Sequence, residues 1–431
     1  MQVVARKPEH RRSEVHAIKN WFKTSGATYR ISSETIPQVY LSEGVEGNAL
    51  EDYAGDYVVP AEVEYDSMAY KIVGIDAGTF RDATALRSVV IDNDSLRMIG
   101  DLLFHGCSGL NAVIWDVEHP ILATMFDQKS YNNLLVYAPA HMEFSHPLID
   151  AGRVALICDG ESGVLVLNGN YPFYCPIEFT AESVSYQRTF SQSTGVGTAA
   201  GWETIALPFD VQTYTHSAKG DIAPFGVEAK HNFWLAELEG DAFAKSTSLR
   251  ANVPYIIAMP NNTQYGNNSM NGTVTFSANN AKILATDEEI VAEGKNLNFV
   301  PNYEVVAPQE DVYALNVGAK YGNNNAGSVF VPNKYSVKPF SAYVTPAMGS
   351  AAAPFYRIFA QSDVEEEVNA FSVSTKGGVV YVSLDSARTV IVYDMTGRQV
   401  RCVACEAGVT EIAGLQRGVY LIENTKVYVQ Y

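Results

Sequence analysis

An internal repeat constrains this chain more than any other feature of its sequence. From about Ile72 the sequence matches itself at an offset of 24 residues, so that Ile75 aligns with Ile99 and Phe80 with Phe104. The other large apolar positions recur in the same way: Ala83 with Cys107, Leu86 with Leu110, Val89 with Val113, and Ile91 with Trp115. One such unit cannot bury its apolar face alone, so each is expected to pack on its neighbour, with Phe80 stacked on Phe104.

Each repeat is predicted to contain one strand and one return segment. The strands are predicted at residues 86–91 and 110–115. In a degraded third copy, Phe126 and a strand at 134–137 take the same roles before Pro139 ends the array. The pattern therefore predicts a short solenoid of stacked repeats.

The second copy carries the clearest version of the pattern. It reads Ile99-Gly100-Asp101-Leu102-Leu103-Phe104-His105-Gly106-Cys107-Ser108-Gly109-Leu110. This spacing resembles the BspA-like class of leucine-rich repeats, although Leu103 replaces the usual Ala and Trp115-Asp116 replaces the usual Ile-Pro. The resemblance covers about residues 55–140 and implies a surface protein whose repeats recognise protein or glycan ligands.

Polar residues on the repeat strands are the candidate ligand-binding residues. Solenoids commonly bind partners through the extended surface that their repeats form. Arg87, Ser88 and Asn111 lie within the predicted repeat strands, so we expect them to be exposed and to contact the ligand. No catalytic residue, metal ligand or cofactor is predicted.

After residue 150 the 24-residue repeat is replaced by a different pattern of apolar and turn residues. Strand-length apolar runs broken by turn residues are typical of a β-sandwich or jelly roll. Strands are predicted at residues 183–190, 202–208, 232–238, 254–259, 273–277, 312–316 and 340–344. Residues 163–167 and 171–174 flank Asn168-Gly169, a dipeptide that favours a tight turn, and are predicted to form a hairpin. Residues 201–210, together with residues 253–258 and 338–343, resemble a middle region of Bacteroidetes surface proteins.

A separate module is predicted from residue 363. The acidic run 363–367 is expected to be a solvated linker, because its like charges repel one another. Beyond it, strand-like runs alternate with Gly-bearing turns, which predicts a small Ig-like β-sandwich. The runs lie at residues 378–384, 389–394, 399–402, 409–412, 418–423 and 426–429.

Three motifs in this module carry a second resemblance. They are Tyr393-Asp394-Met395-Thr396-Gly397-Arg398, Leu415-Gln416-Arg417-Gly418-Val419-Tyr420, and the terminal Lys426-Val427-Tyr428-Val429. Together they closely resemble the C-terminal sorting domain that the type nine secretion machinery recognises. The resemblance implies that residues 363–431 act as an export address and interact with that machinery.

Composition limits the classes of partner. The 48 acidic residues outnumber the 30 basic ones and give a net charge of −18, which argues against binding to nucleic acid or to an anionic membrane. The 25 Tyr and 19 Phe residues favour strands, where aromatic side chains pack well. No run of 18 apolar residues occurs, so no transmembrane segment is predicted. The basic first thirty residues lack the apolar region of a signal peptide, so we expect any export signal to lie outside them.

Common catalytic motifs of hydrolases and nucleotide-binding proteins are missing from the sequence. A glycosidase needs two facing carboxylates, and two pairs could be proposed. Glu203 and Asp210 bracket a predicted strand, whereas Glu237 and Glu239 share one strand face. Nothing in the sequence selects either pair.

Aromatic residues near predicted loops could stack on sugars. The candidates are Trp202, Trp234, Tyr255 and Tyr265. Strand aromatics belong more often to a core than to a binding platform, so we expect these residues to be mostly internal.

Three smaller clusters favour structural roles. Residues 92–94, Asp-Asn-Asp, are expected to cap turns rather than to bind calcium. Cys402 and Cys405 form a Cys-x-x-Cys pair without the second pair that a zinc site needs. His141 and His146 lie in a predicted linker, where an exposed role is expected.

The predicted protein is mainly β. An N-terminal segment at 1–54, partly disordered or holding a leading strand, precedes a short leucine-rich-repeat array at 55–150, a β-sandwich or jelly-roll-like domain at 151–362 and an Ig-like sandwich at 363–431. The predicted function is non-catalytic binding or adhesion, outside the cell or on its outer surface, to an extracellular protein or glycan. The alternative is a secreted polysaccharide hydrolase or carbohydrate-binding module centred on the middle domain.

Overall fold

The computed structural model describes residues 20–24, 26–33, 35–43, 53–127, 131–194, 200–260, 270–287, 290–350, 352–359, 371–384, 387–406, 408–422 and 425–430. Within these residues the chain is mainly β, with several sheets, and it divides into two compact units. The first unit contains the described residues up to 358, and the second contains Phe359 and the described residues of 371–430.

The strands of the first unit are β1 (Trp21–Thr24), β2 (Ala27–Ser33), β3 (Gln38–Ser42), β4 (Gly55–Val58), β5 (Glu62–Tyr65), β6 (Met68–Ile75), β7 (Leu86–Ile91), β8 (Met98–Ile99), β9 (Ala112–Trp115), β10 (Leu134–Ala138), β11 (Val154–Cys158), β12 (Glu161–Leu167), β13 (Phe179–Phe190), β14 (Glu203–Ile205), β15 (Thr213–His216), β16 (Gly220–Pro224), β17 (Asn232–Glu239), β18 (Ala242–Lys245), β19 (Tyr255–Ala258), β20 (Gly272–Ile283), β21 (Ala292–Glu293), β22 (Leu297–Asn302), β23 (Tyr313–Leu315), β24 (Val329–Pro332), β25 (Ser341–Pro346) and β26 (Tyr356–Arg357). Its helical segments are a 3₁₀ turn (Ala123–Met125) and helix α1 (Pro147–Asp150).

The N-terminal segment forms a sheet with part of the repeat region. The strand order is β1-β2-β3-β6-β5, and β8 pairs with β6. Val39 and Leu41 alternate with half-buried residues in β3 and are fully buried, as expected for a strand with one face on a core. The sequence predicts at most a leading strand within 1–54, whereas the described part of this segment forms three strands.

The repeat region forms a ladder of parallel strands in the order β4-β7-β9-β10-β11. Residues that align in the 24-residue repeat become direct neighbours, since Val89 lies beside Val113 and Ile91 beside Trp115. The predicted stack of Phe80 on Phe104 is confirmed, with ring centroids 5.7 Å apart and planes 4° from parallel. Phe126 continues the stack, 5.1 Å from Phe104.

Ladder strands β7, β9, β10 and β11 are largely buried on both faces, whereas β4 at the end of the ladder is mostly exposed. Alternate residues such as Val113 and Val136 face a core that also contains the phenylalanine stack. The intervening residues, such as Leu135 and Ile157, face a second core formed mainly by residues 165–340. Near-continuous apolar runs are what parallel strands covered on both sides require.

The sheet continues from the repeat region into the middle region without interruption. β10 pairs in parallel with β11, across the predicted boundary at 150/151, and β12 and β13 extend the same sheet. The sequence predicts two separate domains here, but the structure has one compact unit. The reason is that β11 is both the last parallel strand of the ladder and the first strand of the middle region.

The predicted hairpin at 163–174 is wrong. β12 pairs in parallel with β13, and residues 171–174 form no strand. The buried Asn133 amide donates hydrogen bonds to the carbonyl groups of Asn168, Tyr171 and Pro172, which holds this segment as a loop. The loop therefore serves as the crossover that two parallel strands need.

The other strands predicted in the middle region are present, with different ends. β13 and β20 are twelve residues each and pair along nearly their whole length, from Phe179 beside Ile283 to Phe190 beside Gly272. A further sheet has the order β21-β22-β25-β23-β24-β26. Several sheets around shared cores are consistent with a β-sandwich. The Asn-rich stretch 261–271, whose composition predicts an exposed loop, lies mostly outside the described residues.

The second unit contains β27 (Phe371–Lys376), β28 (Val379–Leu384), β29 (Arg388–Asp394), β30 (Gln399–Cys405), β31 (Gly408–Ile412), β32 (Gly418–Ile422) and β33 (Thr425–Val429). They form two sheets, β27-β28-β31 and β30-β29-β32-β33. Val380 and Val382 of one sheet share a core with Val390 and Ile422 of the other. The predicted strands of this module are confirmed, whereas the acidic run 363–367 lies outside the described residues.

Candidate functional site

Two of the three predicted ligand-binding residues are buried. Ser88 is 5% exposed and donates a hydrogen bond of 2.7 Å to Oδ1 of Asp56. Asn111 is 4% exposed, and its amide donates to the carbonyl of Pro172 at 3.1 Å. The expected exposure of these two residues is wrong, because the second core covers this face of the ladder. Their ligand-binding role stays a prediction.

Arg87 is half-exposed and joins the ladder to the middle region. Its Nε donates to Asp56 at 2.9 Å, its Nη1 donates to Glu304 at 3.1 Å, and its guanidinium lies 4.3 Å from the centre of the Tyr174 ring. The hydrogen bond from Arg87 lowers the pKa of Asp56. We call these contacts, with those of Asn111 and Asn133 to the 168–172 loop, the seam.

A cleft of about 830 Å³ opens beside the end of β12, on the middle region. Four segments line most of it: residues 166–170, residues 186–189 of β13, Glu203 and Thr204 of β14, and residues 334–339 with 341–342. We call it the polar cleft because amide and hydroxyl side chains alternate with apolar ones along its walls. The sequence did not predict it, since its walls come from segments more than a hundred residues apart.

The polar cleft carries positive charge in an acidic protein. Arg188, Lys334 and Lys338 line it, and Glu203 is the one carboxylate among the lining residues that the structure describes. The whole chain has a net charge of −18. Local charge opposite in sign to the net charge favours an anionic ligand at this place.

Arg188 is held rigidly at the base of the cleft. Its side chain is 13% exposed and donates to the carbonyl of Phe340 at 2.7 Å and to the hydroxyl of Tyr186 at 2.9 Å. A third hydrogen bond goes to the carbonyl of Thr204. These bonds fix the guanidinium with Nη1 3.9 Å from Oε2 of Glu203. Burial raises the pKa of Glu203, although the charges of Arg188 and Lys338 oppose this.

One wall of the cleft is an open strand edge. β12 pairs with β13 only as far as Leu167 beside Tyr186, whereas β20 pairs with β13 as far as Phe190. No strand that the structure describes lies along the β12 side of residues 187–190. Gln187 and Thr189 on this edge are exposed. Such an edge presents backbone N–H and C=O groups that another chain can pair with.

The two proposed carboxylate pairs have separate surroundings. Glu203 lies in the polar cleft, whereas Asp210 accepts a hydrogen bond of 2.7 Å from the backbone of Ala251 and lines a different cavity. Glu237 is paired with Arg250, and Glu239 is exposed. Neither pair is brought together across the polar cleft.

The aromatic candidates are mostly internal, as predicted. Trp202 is 6% exposed and Tyr255 is fully buried. Trp234 is half-buried and packs beside Trp202, with ring centroids 6.4 Å apart. Tyr265 lies outside the described residues.

The smaller clusters have structural roles in the described part of the chain. Asn93 accepts from the backbone of Ser95 at 2.9 Å and donates to the carbonyl of Ile72, which confirms the turn-capping prediction. His146 is 3% exposed and caps helix α1, so the expected exposure of this residue is wrong. His141 is exposed and lies 3.0 Å from Glu118.

Cys402 and Cys405 point away from each other. Both lie in β30, where residues three apart face opposite sides of the sheet. Cys402 is exposed and Cys405 is buried, so the two thiols do not form a shared ligand pair. In the described ranges, no group of three or more His, Cys, Asp or Glu side chains is arranged to hold a metal ion.

Comparison with known proteins found no matching family, no matching curated protein and no matching solved structure. Among the residues described here, no helix combines the length and apolar character of a membrane span.

Proposed function

We propose that this chain is a non-catalytic binding or adhesion protein, displayed on the cell surface or released outside the cell. Its first unit binds an extracellular ligand, and residues 363–431 direct export through the type nine machinery. The observation that carries the binding function is the polar cleft, which combines a fixed arginine, two exposed lysines and an open strand edge. Ligand sites typically have such concave walls with a few fixed polar groups.

The leucine-rich-repeat assignment of residues 55–150 is part of this proposal. Two observations support it: aligned repeat positions are lateral neighbours in a parallel ladder, and Phe80, Phe104 and Phe126 stack inside it. Because both faces of the ladder are largely buried from β7 to β11, the array acts chiefly as a scaffold for the middle region. The BspA-like surface class and a Bacteroidetes-type source are proposed on the same sequence resemblance.

The sorting role of the second unit rests on its motifs and is supported by one turn. Asp394 accepts hydrogen bonds from the backbone N–H of Thr396 at 3.0 Å and of Arg398 at 3.1 Å. The hydrogen bond from the Thr396 hydroxyl has the largest effect on the pKa of Asp394. Together with the two backbone hydrogen bonds it lowers this pKa to about 2. The Tyr-Asp-x-x-Gly-Arg motif thus forms a defined, exposed turn, which is a suitable recognition feature for export machinery.

A carbohydrate-active function is the second candidate. Amide and hydroxyl groups of Asn168, Asn170, Gln187 and Thr189 line the polar cleft and could bond sugar hydroxyls. The raised pKa of Glu203 is a property that an acid catalyst would need. Its proposed partner Asp210 lies in another cavity, which favours binding over hydrolysis.

Cell fractionation tests the proposal. Cells expressing the gene with its native upstream region are compared with cells carrying a deletion of residues 363–431, an Asp394→Ala variant, or a Glu411→Ala control at an exposed position of the same unit. We expect the deletion to remain in the periplasm, Asp394→Ala to be exported poorly, and the control to reach the surface or medium. Equal export of the deletion and the intact chain would refute the sorting role.

A further inference from the structure

The open edge of β13 and the positive charge of the polar cleft lie side by side. Residues 187–190 lack a strand partner on the β12 side within the described chain, and residues 187–189 line the same cleft as Lys334 and Lys338. Both features require a ligand that carries backbone hydrogen-bonding groups and negative charge together.

We propose that the polar cleft binds an extended, acidic peptide segment of a partner protein, which adds as a strand along residues 187–190 of β13. This deepens the proposed binding function and rests on it. The added strand continues the line of β12 and therefore runs parallel to β13. Strand addition supplies main-chain hydrogen bonds for affinity, and alternate side chains supply specificity.

The geometry of the edge favours a short segment. Four residues of β13 extend about 13 Å at the usual rise of a strand. The 168–170 turn closes one end of this stretch, because the chain leaves the sheet after Leu167. Residues 334–339 line the same cleft, so we expect side chains of the added strand to lie near Lys334 and Lys338.

The lysines select acidic side chains. Lys334 and Lys338 are exposed, and Glu203 is the one opposing carboxylate among the described lining residues. The whole chain has a net charge of −18, which repels acidic peptides from most of its surface. The positively charged cleft is therefore their favoured binding site.

An acidic saccharide fits the cleft less well, because sugar sites usually offer an open aromatic face. The Tyr186 ring is 2% exposed and packs on Phe340, with centroids 5.1 Å apart. The ammonium of Lys334 lies 5.3 Å from the centre of the Tyr335 ring and 4.8 Å from that of Tyr321. Lysine therefore covers the aromatic faces at this wall.

Fluorescence anisotropy with the full chain tests the proposal. The probe is a labelled peptide of alternating Glu and Val, compared with a Lys-Val peptide and with a Glu-Val peptide N-methylated at alternate backbone nitrogens. We expect only the unmethylated Glu-Val peptide to bind. Equal binding of the methylated peptide would overturn strand addition, and equal binding of the Lys-Val peptide would overturn charge selection.

Paired charge variants locate the site. Lys334→Glu with Lys338→Glu should weaken binding by at least about tenfold, whereas the matched control Lys71→Glu with Lys230→Glu, at exposed positions outside the cleft, should change it by less than about twofold. Glu203→Gln removes the opposing charge and should tighten binding by about threefold. If all variants bind alike, the cleft is not the site.

A parallel binding experiment with an acidic saccharide distinguishes a peptide ligand from a saccharide ligand. Binding of oligogalacturonate to the cleft, lost in the double lysine variant, with no binding of the Glu-Val peptide, would overturn the peptide proposal. It would leave the extracellular binding function standing. Failure of the surface export described above would instead refute the export function without affecting peptide binding, so the two failures are distinguishable.

Discussion

Buried asparagine side chains connect segments that are distant in sequence. Asn133 is fully buried and both accepts a bond from the backbone of Asn168, at 2.8 Å, and donates to three carbonyl groups. Asn252 is fully buried as well, donating to the carbonyl of Ala285 and accepting from the hydroxyl of Tyr303. An amide has donors and an acceptor, so it satisfies buried backbone groups that no strand pairs with.

Replacing Asn133 should destabilise the protein strongly. In Asn133→Asp the side chain keeps its shape but loses its donor, so three carbonyl groups face a carboxylate, and we expect the free energy of unfolding to fall by more than about 2 kcal/mol. The neighbouring Asn132 uses its side-chain oxygen to accept from Arg153 at 3.0 Å, which an aspartate can also do. Asn132→Asp is therefore the control, and equal losses for the two variants in urea unfolding would contradict this role of Asn133.

The cysteines should differ widely in reactivity. Burial raises the pKa of Cys107 and of Cys175 to about 12, and the thiol of Cys107 donates to the carbonyl of Phe80. At pH 8 about one in ten thousand of these thiols is ionised, and only the thiolate reacts. We expect iodoacetamide to label the exposed Cys402 first and the two buried thiols only after unfolding, as measured by peptide mass spectrometry. Labelling of Cys107 as fast as Cys402 in the folded protein would show that the burial is not maintained.

At the scale of elements, the repeat ladder depends on close packing between successive repeats. A side chain at Gly100 would place its Cβ 2.3 Å from the backbone nitrogen of Ala77, so the repeat tolerates only glycine there. Phe104 lies between Phe80 and Phe126 in the stack. The stack and the glycine contact together set the distance between neighbouring repeats.

Removing the middle ring of the stack should open a cavity. Phe104→Ala is expected to lower the free energy of unfolding by about 3–5 kcal/mol, because Phe104 is fully buried and its neighbours on both sides lose contacts. Leu122→Ala, at a position 43% exposed on the adjacent repeat, should cost less than about 1 kcal/mol. Similar losses in denaturant titration would mean that the stack contributes little.

The strands of the ladder and the contacts of the seam differ in how far the local sequence pattern could predict them. The apolar repeat predicted the ladder strands and the phenylalanine stack, because both depend on residues at fixed short separations. The seam could not be predicted, since Arg87 and Glu304 lie 217 positions apart. Polar residues at alternate strand positions indicate a face away from the apolar core, but not whether that face meets water or another segment. The expectation that Ser88 and Asn111 are exposed rests on the extended surface that solenoids commonly use for binding, and it does not account for a segment that covers this surface.

The polar cleft illustrates the same limit. The sequence predicts strands close to the observed positions of β12 and β13, although it predicts that β12 belongs to a hairpin. The open edge exists because β12 ends four residues before β13 does in their shared register. Such a difference in length is a property of two paired strands and is not encoded in either one alone.

At the scale of the whole molecule, the two units are built from separate sheets. Each of the sheets formed by residues 371–430 is complete within the second unit, and that unit has its own core of Val380, Val392, Ile422 and their neighbours. The first unit contains two large cores that share the ladder strands between them. The units are therefore expected to unfold independently.

Truncation tests this independence. A chain ending at residue 362 should keep the unfolding midpoint of the first unit within about 2 °C, because it loses no strand partner or core residue of that unit. The full chain should show an additional transition from the second unit in differential scanning calorimetry. A single transition that shifts by more than about 5 °C on truncation would show that the units are coupled in stability.

The seam also limits the number of 24-residue repeats that the protein can contain. A free solenoid tolerates gain or loss of whole repeats, because each repeat contacts only its neighbours. Here a duplication of 24 residues between β7 and β9 would move Arg87 by about 4.8 Å, one strand spacing, away from Tyr174 and Glu304. Asn111, which directly precedes β9, would remain in place and stay bonded to Pro172. Repeat number is thus fixed by attachment to the middle region, and length variation is tolerated only ahead of β4.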